Sequence, residues 1–503
     1  MSALGAVPRP QETVKPRDLD ALRRLAVSRY VERTPGSKAL ASSARTQHAD
    51  KSAIGAGFDR QLKEACYPIV AAGAGGSRIT DVDGNEYVDI LQGLGTNLFG
   101  HNPEFVRDAL EARLRQGFPI GVQDSLVGDL AALVCRLTGL ERACFSNTGT
   151  EAVMTALRLA RAVSGRDKVV VFTNSYHGHA DPFLLRAPIS EYARRKIARV
   201  LQARAWLRPL AAAFSRPRAV RGVPAVPGVP ASIGRDVLVL EYGSDAALEV
   251  IRQQRKRLAA VIVEPVQSRC PELQPAEFLR TLRAITAEAE VALIFDEMVT
   301  GFRLHAAGAQ GFFGVKADIA TYSKVAGGGM PLSVVAGSAR YLDAIDGGAW
   351  QFGDDSAPGV ETTFFAGTFC KHPLALTAAH AMLARIDAES PGLHEALAER
   401  TEGLIRRLDA FTRSHEMPVR FTRSGSFFAI AMTQSRIDQA AVTLLSYLLL
   451  GNGIHLRPGD RGGFLTAAHS DDDIETIAGA FETALLALRD AQLWRRSASP
   501  DTT

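Results

Sequence analysis

The sequence predicts an α/β fold: a mostly parallel central sheet covered on both faces, with a smaller α+β domain drawn from the two ends of the chain. Two observations carry that expectation. Four nearly continuous apolar runs, KVVVFT, DVLVLEY, AAVIVEPV and VALIFDEM, alternate with helix-patterned segments such as LEVIRQQRKRL and PAEFLRTLRAITAE. Strands buried on both faces read as unbroken apolar runs because neither face meets water. The chain has 503 residues, 46% apolar and 22% charged, with 44 glycines. That is enough to bury a full core and to divide into more than one domain.

Taken in order, Leu19, Leu22, Leu25 and Ala26 recur at helical spacing and predict a helix over 19–31, with Asp18 available as its N-cap. The polar SKALASSARTQHADKS segment that follows is expected to be mobile, so 1–60 reads as an N-terminal extension. Short β-prone runs flank Asp83-Gly84-Asn85 and predict a meander of small strands, with a helix over about 103–116. Residues 61–120 therefore form the N-terminal part of the small domain. The large domain spans 121–372: a helix ending at Gly139, the strand ERACFSN, the helix TGTEAVMTALRLARAVSG, then the strand–helix alternation. Alanine- and leucine-rich helices from 373 to 490 form the C-terminal small domain, and 491–503 are expected to be a disordered tail.

Charge is uneven. The overall formal charge is +4, yet 186–235 holds eleven Arg or Lys against the single acid Glu191. A local basic insert, about 186–225, points to a partner or substrate contact rather than to a nucleic-acid-binding protein. Five scattered cysteines form neither a metal-binding pattern nor a disulfide framework, which suits a reducing, cytoplasmic setting. The first thirty residues carry no continuous apolar run, and no stretch reaches membrane-spanning length, so neither a leader nor a membrane anchor is expected.

The chemistry concentrates at the C-terminal ends of the predicted strands, where open α/β sheets bind ligands. Gly149 and Thr150 stand where a loop enters a helix. Free backbone N–H groups and a hydroxyl there suit a phosphate, although an ordinary threonine N-cap would read the same way. Tyr176-His177-Gly178-His179 follows a strand, and its aromatic ring could cover one face of a heteroaromatic ligand or simply sit half-buried. No third metal ligand falls at a convincing spacing, so no metal is expected. Asp296 ends the ALIF run, where a carboxylate needs a partner: a protonated ring nitrogen, an arginine or a backbone N–H. Glu264 and Gln267 line the neighbouring strand end, while Glu297 points away by strand alternation and is expected to be structural. Lys324, in YSKVAGGGMP, follows a β-prone run and precedes three glycines that let the backbone fold tightly around it. Partial desolvation would lower its pKa and fit it for imine formation with an aldehyde.

In these stretches, and in YPIV, DVDGNEYVD, NLFGHNP, SNTGTEA, YHGHAD, VEPVQSR, DEMVTGFR and GTF, the chain resembles the class III, fold type I pyridoxal-phosphate aminotransferases over about 67–470. Within them it resembles the glutamate-1-semialdehyde 2,1-aminomutases and, more closely still, the aminotransferase domains of mixed polyketide/nonribosomal-peptide assembly lines. The resemblance implies that Lys324 is the Schiff-base lysine and that Asp296 pairs with the pyridine nitrogen of pyridoxal 5'-phosphate. It implies that Gly149 and Thr150 hold the phosphate, that Tyr176, beside His177, stacks on the ring, and that Gln267, near Glu264, lies by the ring oxygen. Met298 or Val299 would pack the opposite face. Thr368 would reach the phosphate of a neighbouring subunit, implying a homodimer with shared active sites. Arg303 is expected to be structural.

Two departures matter. The aminomutase pattern places a glutamate shortly before an AHT segment, whereas LRPGDRGGFLTAAHS has none, and His372 stands where many relatives have asparagine. The expected activity is therefore transfer of an amino group from an amino-acid donor to a separate aldehyde or β-keto acceptor in specialised biosynthesis, free or held on a carrier protein. A semialdehyde-type aminomutase is the alternative, and a non-catalytic scaffold using the basic insert is a third reading. For the insert itself, a plain surface helix, a docking patch for an acidic carrier protein or a membrane-surface contact all remain open.

Overall fold

The computed structural model describes residues 19–51, 58–202, 204–214 and 216–494. The chain forms two compact units, 1–107 with 392–503, and 108–391.

The first unit opens with the helix Leu19–Arg33, which buries Leu22, Ala26 and Tyr30, residues four apart and hence on one face. The ring of Tyr30 lies 5.0 Å from that of Tyr67 and edge-on to Tyr447 at 5.6 Å. This helix is part of the unit's core, so the expected N-terminal extension is corrected; the Asp18 cap lies outside the described residues. The segment expected to be mobile instead begins with a helix, Pro35–Ala44. The first amides of that helix, Gly36 N and Ser37 N, donate to the Asp83 carboxylate at 2.6 and 3.1 Å. A cap supplied from the DVDGNEY turn leaves no trace in the helix's own sequence. The predicted meander is present as strands β1 (Ala71–Gly75), β2 (Arg78–Asp81) and β3 (Glu86–Asp89), paired antiparallel.

The second unit contains β4 (Arg142–Ser146), β5 (Lys168–Phe172), β6 (Leu185–Arg186), β7 (Val223–Pro224), β8 (Val237–Leu240), β9 (Leu258–Val263), β10 (Ala292–Asp296), β11 (Ile319–Tyr322) and β12 (Ser333–Gly337). Seven of them form one sheet in the order β4-β12-β11-β10-β9-β5-β8. Strands β11, β10, β9, β5 and β8 run parallel, and β12 alone lies antiparallel to both of its neighbours. Every residue of β5, β8, β9, β10, β11 and β12 is buried, which is why these strands read as unbroken apolar runs. The helix Gly149–Ser164 buries Val153, Ala156, Leu157 and Ala160 against this sheet.

The helix Pro373–Glu389, expected to open the C-terminal domain, belongs to this larger unit. It packs on the turn after Lys324 so closely that a methyl group at Gly328 would lie 2.5 Å from Ala378 O. The division therefore falls after Pro391, and the 108–120 stretch also joins the larger unit. The basic insert is pinched at its base by the two-residue ribbon β6–β7 and carries the helix Ile189–Gln202 and the short helix Arg208–Phe214. Tyr192, Val200, Trp206 and Leu210 stand exposed on it.

The chain then returns to the first unit through the helices Gly392–Ser414, Gln439–Gly451 and Asp471–Asp490, with β13 (Phe421–Ser424), β14 (Phe427–Ile430), β15 (Ile454–His455) and β16 (Gly462–Phe464). Strand β15 adds in parallel to β3. Leu493 and Trp494 pack on the core, so the first residues of the expected disordered tail are ordered; the rest lie outside the described residues.

Candidate active site

Lys324 directly follows β11 and Ser323, in a left-handed backbone conformation with φ +50. A lysine there is strained, and such strain persists only where the surroundings enforce it. Val325, Ala326 and Gly327 are buried, and Ser323 Oγ donates to Leu332 O at 2.8 Å, closing the loop. The glycine run is thus a packed turn rather than a mobile one: Gly328 is small because the 373–389 helix lies against it. Burial holds the Lys324 ammonium below the usual lysine range, and the Arg303 guanidinium pushes the same way, against the pull of the Asp296 and Glu264 carboxylates. Arg303 is itself 2% exposed, and burial draws it down to about 9.

Asp296 ends β10 at 2% exposure. Its Oδ2 accepts from His177 Nδ1 at 2.6 Å and its Oδ1 from Met298 N at 3.2 Å. A carboxylate offers about four lone-pair directions, so roughly half remain unfilled. His177 Nε2 and Thr321 Oγ1 are buried without a hydrogen-bond partner among the described residues, and Thr321 is in register with Asp296 across β10–β11. Buried polar atoms usually have a partner, and two open ones next to a half-filled carboxylate fit a site that takes a polar ligand. Glu297 is structural, as expected. Fully buried, it accepts from Thr300 Oγ1, Ala309 N and Gln310 N at 2.6, 2.8 and 3.2 Å, anchoring the start of the helix Gly308–Phe313. Burial pushes its carboxyl up to about 7.

The 149–164 helix is capped by Thr148, not Thr150. Thr148 and Glu151 form a reciprocal capping box, with Glu151 N donating to Thr148 Oγ1 at 3.2 Å and Thr148 N to Glu151 Oε2 at 2.9 Å. That leaves the Gly149 and Thr150 amides in the first turn, at the positive end of the helix dipole. A side chain at Gly149 would strike Met298 Sδ at 2.7 Å, and one at Gly178 would strike Thr150 Oγ1 at 2.4 Å. The Thr150 hydroxyl accepts from His179 N at 3.3 Å, and its own hydrogen stays available to an anion.

Tyr176 is 50% exposed, and the guanidinium of Arg269 lies 5.6 Å from its ring centre. Its turn is held by Glu264, whose Oε2 accepts from Tyr176 N at 2.8 Å while Oε1 accepts from Ser268 Oγ at 3.0 Å. Glu264 is buried, and burial raises its carboxyl above the usual range. Gln267, 1% exposed, donates from Nε2 to Thr173 O at 2.9 Å. Met298 and Val299 are partly buried beside Asp296. Thr368 is exposed, on a stretch where Trp350, Phe352, Phe364 and Phe369 are exposed as well. His372 acts as the N-cap of the 373–389 helix, its Nδ1 accepting from Leu374 N at 3.2 Å. Sequence reasoning missed Arg269 and the His177–Asp296 pair. The signals were the arginine that ends VEPVQSR and a histidine after the aromatic residue, neither of which specifies a partner.

A strained lysine with a depressed pKa, a buried carboxylate with open lone pairs and an uncommitted helix N-terminus, on a seven-stranded sheet of this topology, define a fold type I pyridoxal-phosphate enzyme. The Aminotransferase class-III family model matches residues 61–462, and the chain belongs to that family. A glutamate-1-semialdehyde 2,1-aminomutase of Methylacidiphilum infernorum is 33% identical over 426 residues, 82% of this chain and 88% of that protein. A β-phenylalanine aminotransferase from Variovorax paradoxus superposes with a TM-score of 0.76 at 25% identity, over 95% of this chain and all of the other. A glutamate-1-semialdehyde-aminomutase from Pseudomonas aeruginosa PAO1, solved with PMP, shares the fold at TM-score 0.75 and 24% identity, over 93% and 98% of the chains. The enzyme is a pyridoxal-phosphate-dependent transaminase. Among the described residues no helix is long and apolar enough to cross a membrane.

Proposed function

We propose that the enzyme moves an amino group between two separate molecules, from an amino-acid donor to an aldehyde or β-keto acceptor. The observation that carries this reading is the stretch 456–470. It holds no glutamate, and its one acid before Ser470, Asp460, accepts from Arg457 Nη2 at 2.9 Å. The group that the aminomutase pattern supplies for internal exchange is absent. The β-amino substrate in the name of the Variovorax relative favours a β-keto acceptor. The names of the curated relatives favour the second reading, a semialdehyde aminomutase.

In this reading the bound cofactor supplies an electron sink for the carbon bearing the amine. Lys324 Nζ holds the cofactor and then moves a proton at that carbon; its depressed pKa keeps a larger neutral fraction than a free lysine has at the same pH. Asp296 holds a proton on the ring nitrogen, oriented by His177. The Gly149 and Thr150 amides and the Thr150 hydroxyl hold the phosphate, Tyr176 covers one ring face, and Met298 or Val299 packs the other. Gln267 orients the ring oxygen, and Glu264 holds the Tyr176 turn. Thr368, on the exposed aromatic stretch, completes the site of a second copy, which makes the enzyme a homodimer. A carrier-bound acceptor in specialised biosynthesis is the form of this reading that the basic insert favours. Nitrogen-labelled donor mixed with an unlabelled acceptor tests the central point: label in the aminated acceptor supports transfer between molecules, and amine retained within one molecule would establish the mutase.

A further inference from the structure

A cavity of about 880 Å³ lies beside Tyr176 and His177, over the C-terminal ends of β5 and β8. Phe183, Leu185, Ile189 and Tyr192 give it apolar walls, and Arg186 and Lys196 stand at its margin. The volume is near the top of the range for small-molecule sites, larger than a short keto acid requires. A second cavity of about 270 Å³ shares two of its residues, Arg195 and Glu241. Those two residues form an ion pair 4.0 Å long, so the same side chains line both cavities.

The smaller cavity is lined by Arg194, Arg195, Arg216 and Arg218 and by the first turn of the helix Asp245–Gln254 at Ser244, Ala246 and Ala247. Its cations divide into two kinds. Arg194 and Arg195 are committed to Glu191, at 2.6 and 2.9 Å. Arg216 and Arg218 are exposed, and their side chains make no hydrogen bond or ion pair with another described residue. Two guanidiniums without a side-chain partner among the described residues, beside the positive end of a helix, attract an anion, while the carboxylates on the same lining, Glu191 and Glu241, are held by Arg194 and Arg195.

We propose that this tract receives the far end of the amino acceptor: an extended acyl chain in the apolar cavity and a terminal anion, phosphate or carboxylate, between Arg216 and Arg218. The proposal rests on the transaminase reading for the reacting end at Lys324, but the anion pocket itself does not. A short acceptor would leave the tract empty, whereas a chain of this kind uses both cavities and the residues they share.

The test compares aldehydes of six to twelve carbons with the ω-oxo acids of equal length, in the holoenzyme and in the Arg216→Ala/Arg218→Ala double variant. Wild type should favour the oxo acids at the longer lengths. The double variant should lose about tenfold to a hundredfold in kcat/KM for these while keeping its rate with plain aldehydes and its spectral response to donor alone. No preference in wild type, or an equal loss for charged and uncharged acceptors, overturns the proposal. If no acceptor is aminated at all, the transaminase reading fails instead, and calorimetry with octyl phosphate and octanoate decides the pocket. Binding that disappears in the double variant supports it and tells phosphate from carboxylate; binding that is absent, or equal in the two proteins, overturns it.

Discussion

Two buried aspartates, one in each unit, look alike from sequence and differ in their remaining valence. Asp89 and Asp296 each end a strand at 2% exposure and each bonds histidine. Asp89 is saturated: Oδ1 accepts from Leu91 N and His455 at 2.8 and 2.7 Å, and Oδ2 from Gln92 N and His101 at 3.0 and 2.6 Å. Burial raises its carboxyl, yet the two histidine bonds outweigh that and hold it well below the usual range. Asp296 has one histidine and one amide, and the rest of its acceptor capacity is open near Lys324. A buried carboxylate whose acceptors are all filled holds the fold together; one left half-filled is available to chemistry.

Substitution should separate the two. Asp296→Asn is expected to lower turnover by about 10³-fold, as for loss of a charge that acts at the reacting centre, with little change in the unfolding midpoint. Asp89→Asn should do the reverse, keeping turnover per folded molecule while losing about 3–5 kcal/mol in urea unfolding, because four donors then face a group that accepts fewer. The Asp89 effect also has a sign in pH. With the folded value depressed from 3.8, its stabilisation is full well above pH 3.8 and is lost as pH falls below that value toward the folded one. The variant should lack that component of the acid slope.

Smaller effects sharpen the contrast at the edge of the site. Gly178→Ala places a methyl group against Thr150 at φ +80 and should cost about 1–3 kcal/mol, together with weaker retention of cofactor on dialysis. Glu264→Gln keeps the shape but weakens the hold on Tyr176 N, and is expected to raise KM severalfold with kcat nearly unchanged.

Much of this molecule is legible in its sequence where the determinants are local. The apolar strands, the helix ending at the left-handed Gly139 and the lysine beside its glycines all declare themselves within a dozen residues. What escaped depends on distant partners. Asp83 caps a helix 47 residues away, and His177 finds Asp296 across 119 residues. Helical spacing showed a helix over 19–31, which runs to Arg33, but not the aromatic neighbours, Tyr67 and Tyr447, that make it core. The cap at Thr148 rather than Thr150 turned on Glu151, a residue equally at home on any helix surface.

The open lone pairs of Asp296 set the site apart, and nitrogen NMR of holoenzyme reconstituted with ring-labelled cofactor tests them most directly. A protonated ring nitrogen in wild type, lost in Asp296→Asn and retained in Asp89→Asn, is the predicted result. An unprotonated ring in wild type, or one that the Asp296 substitution leaves unchanged, would contradict it.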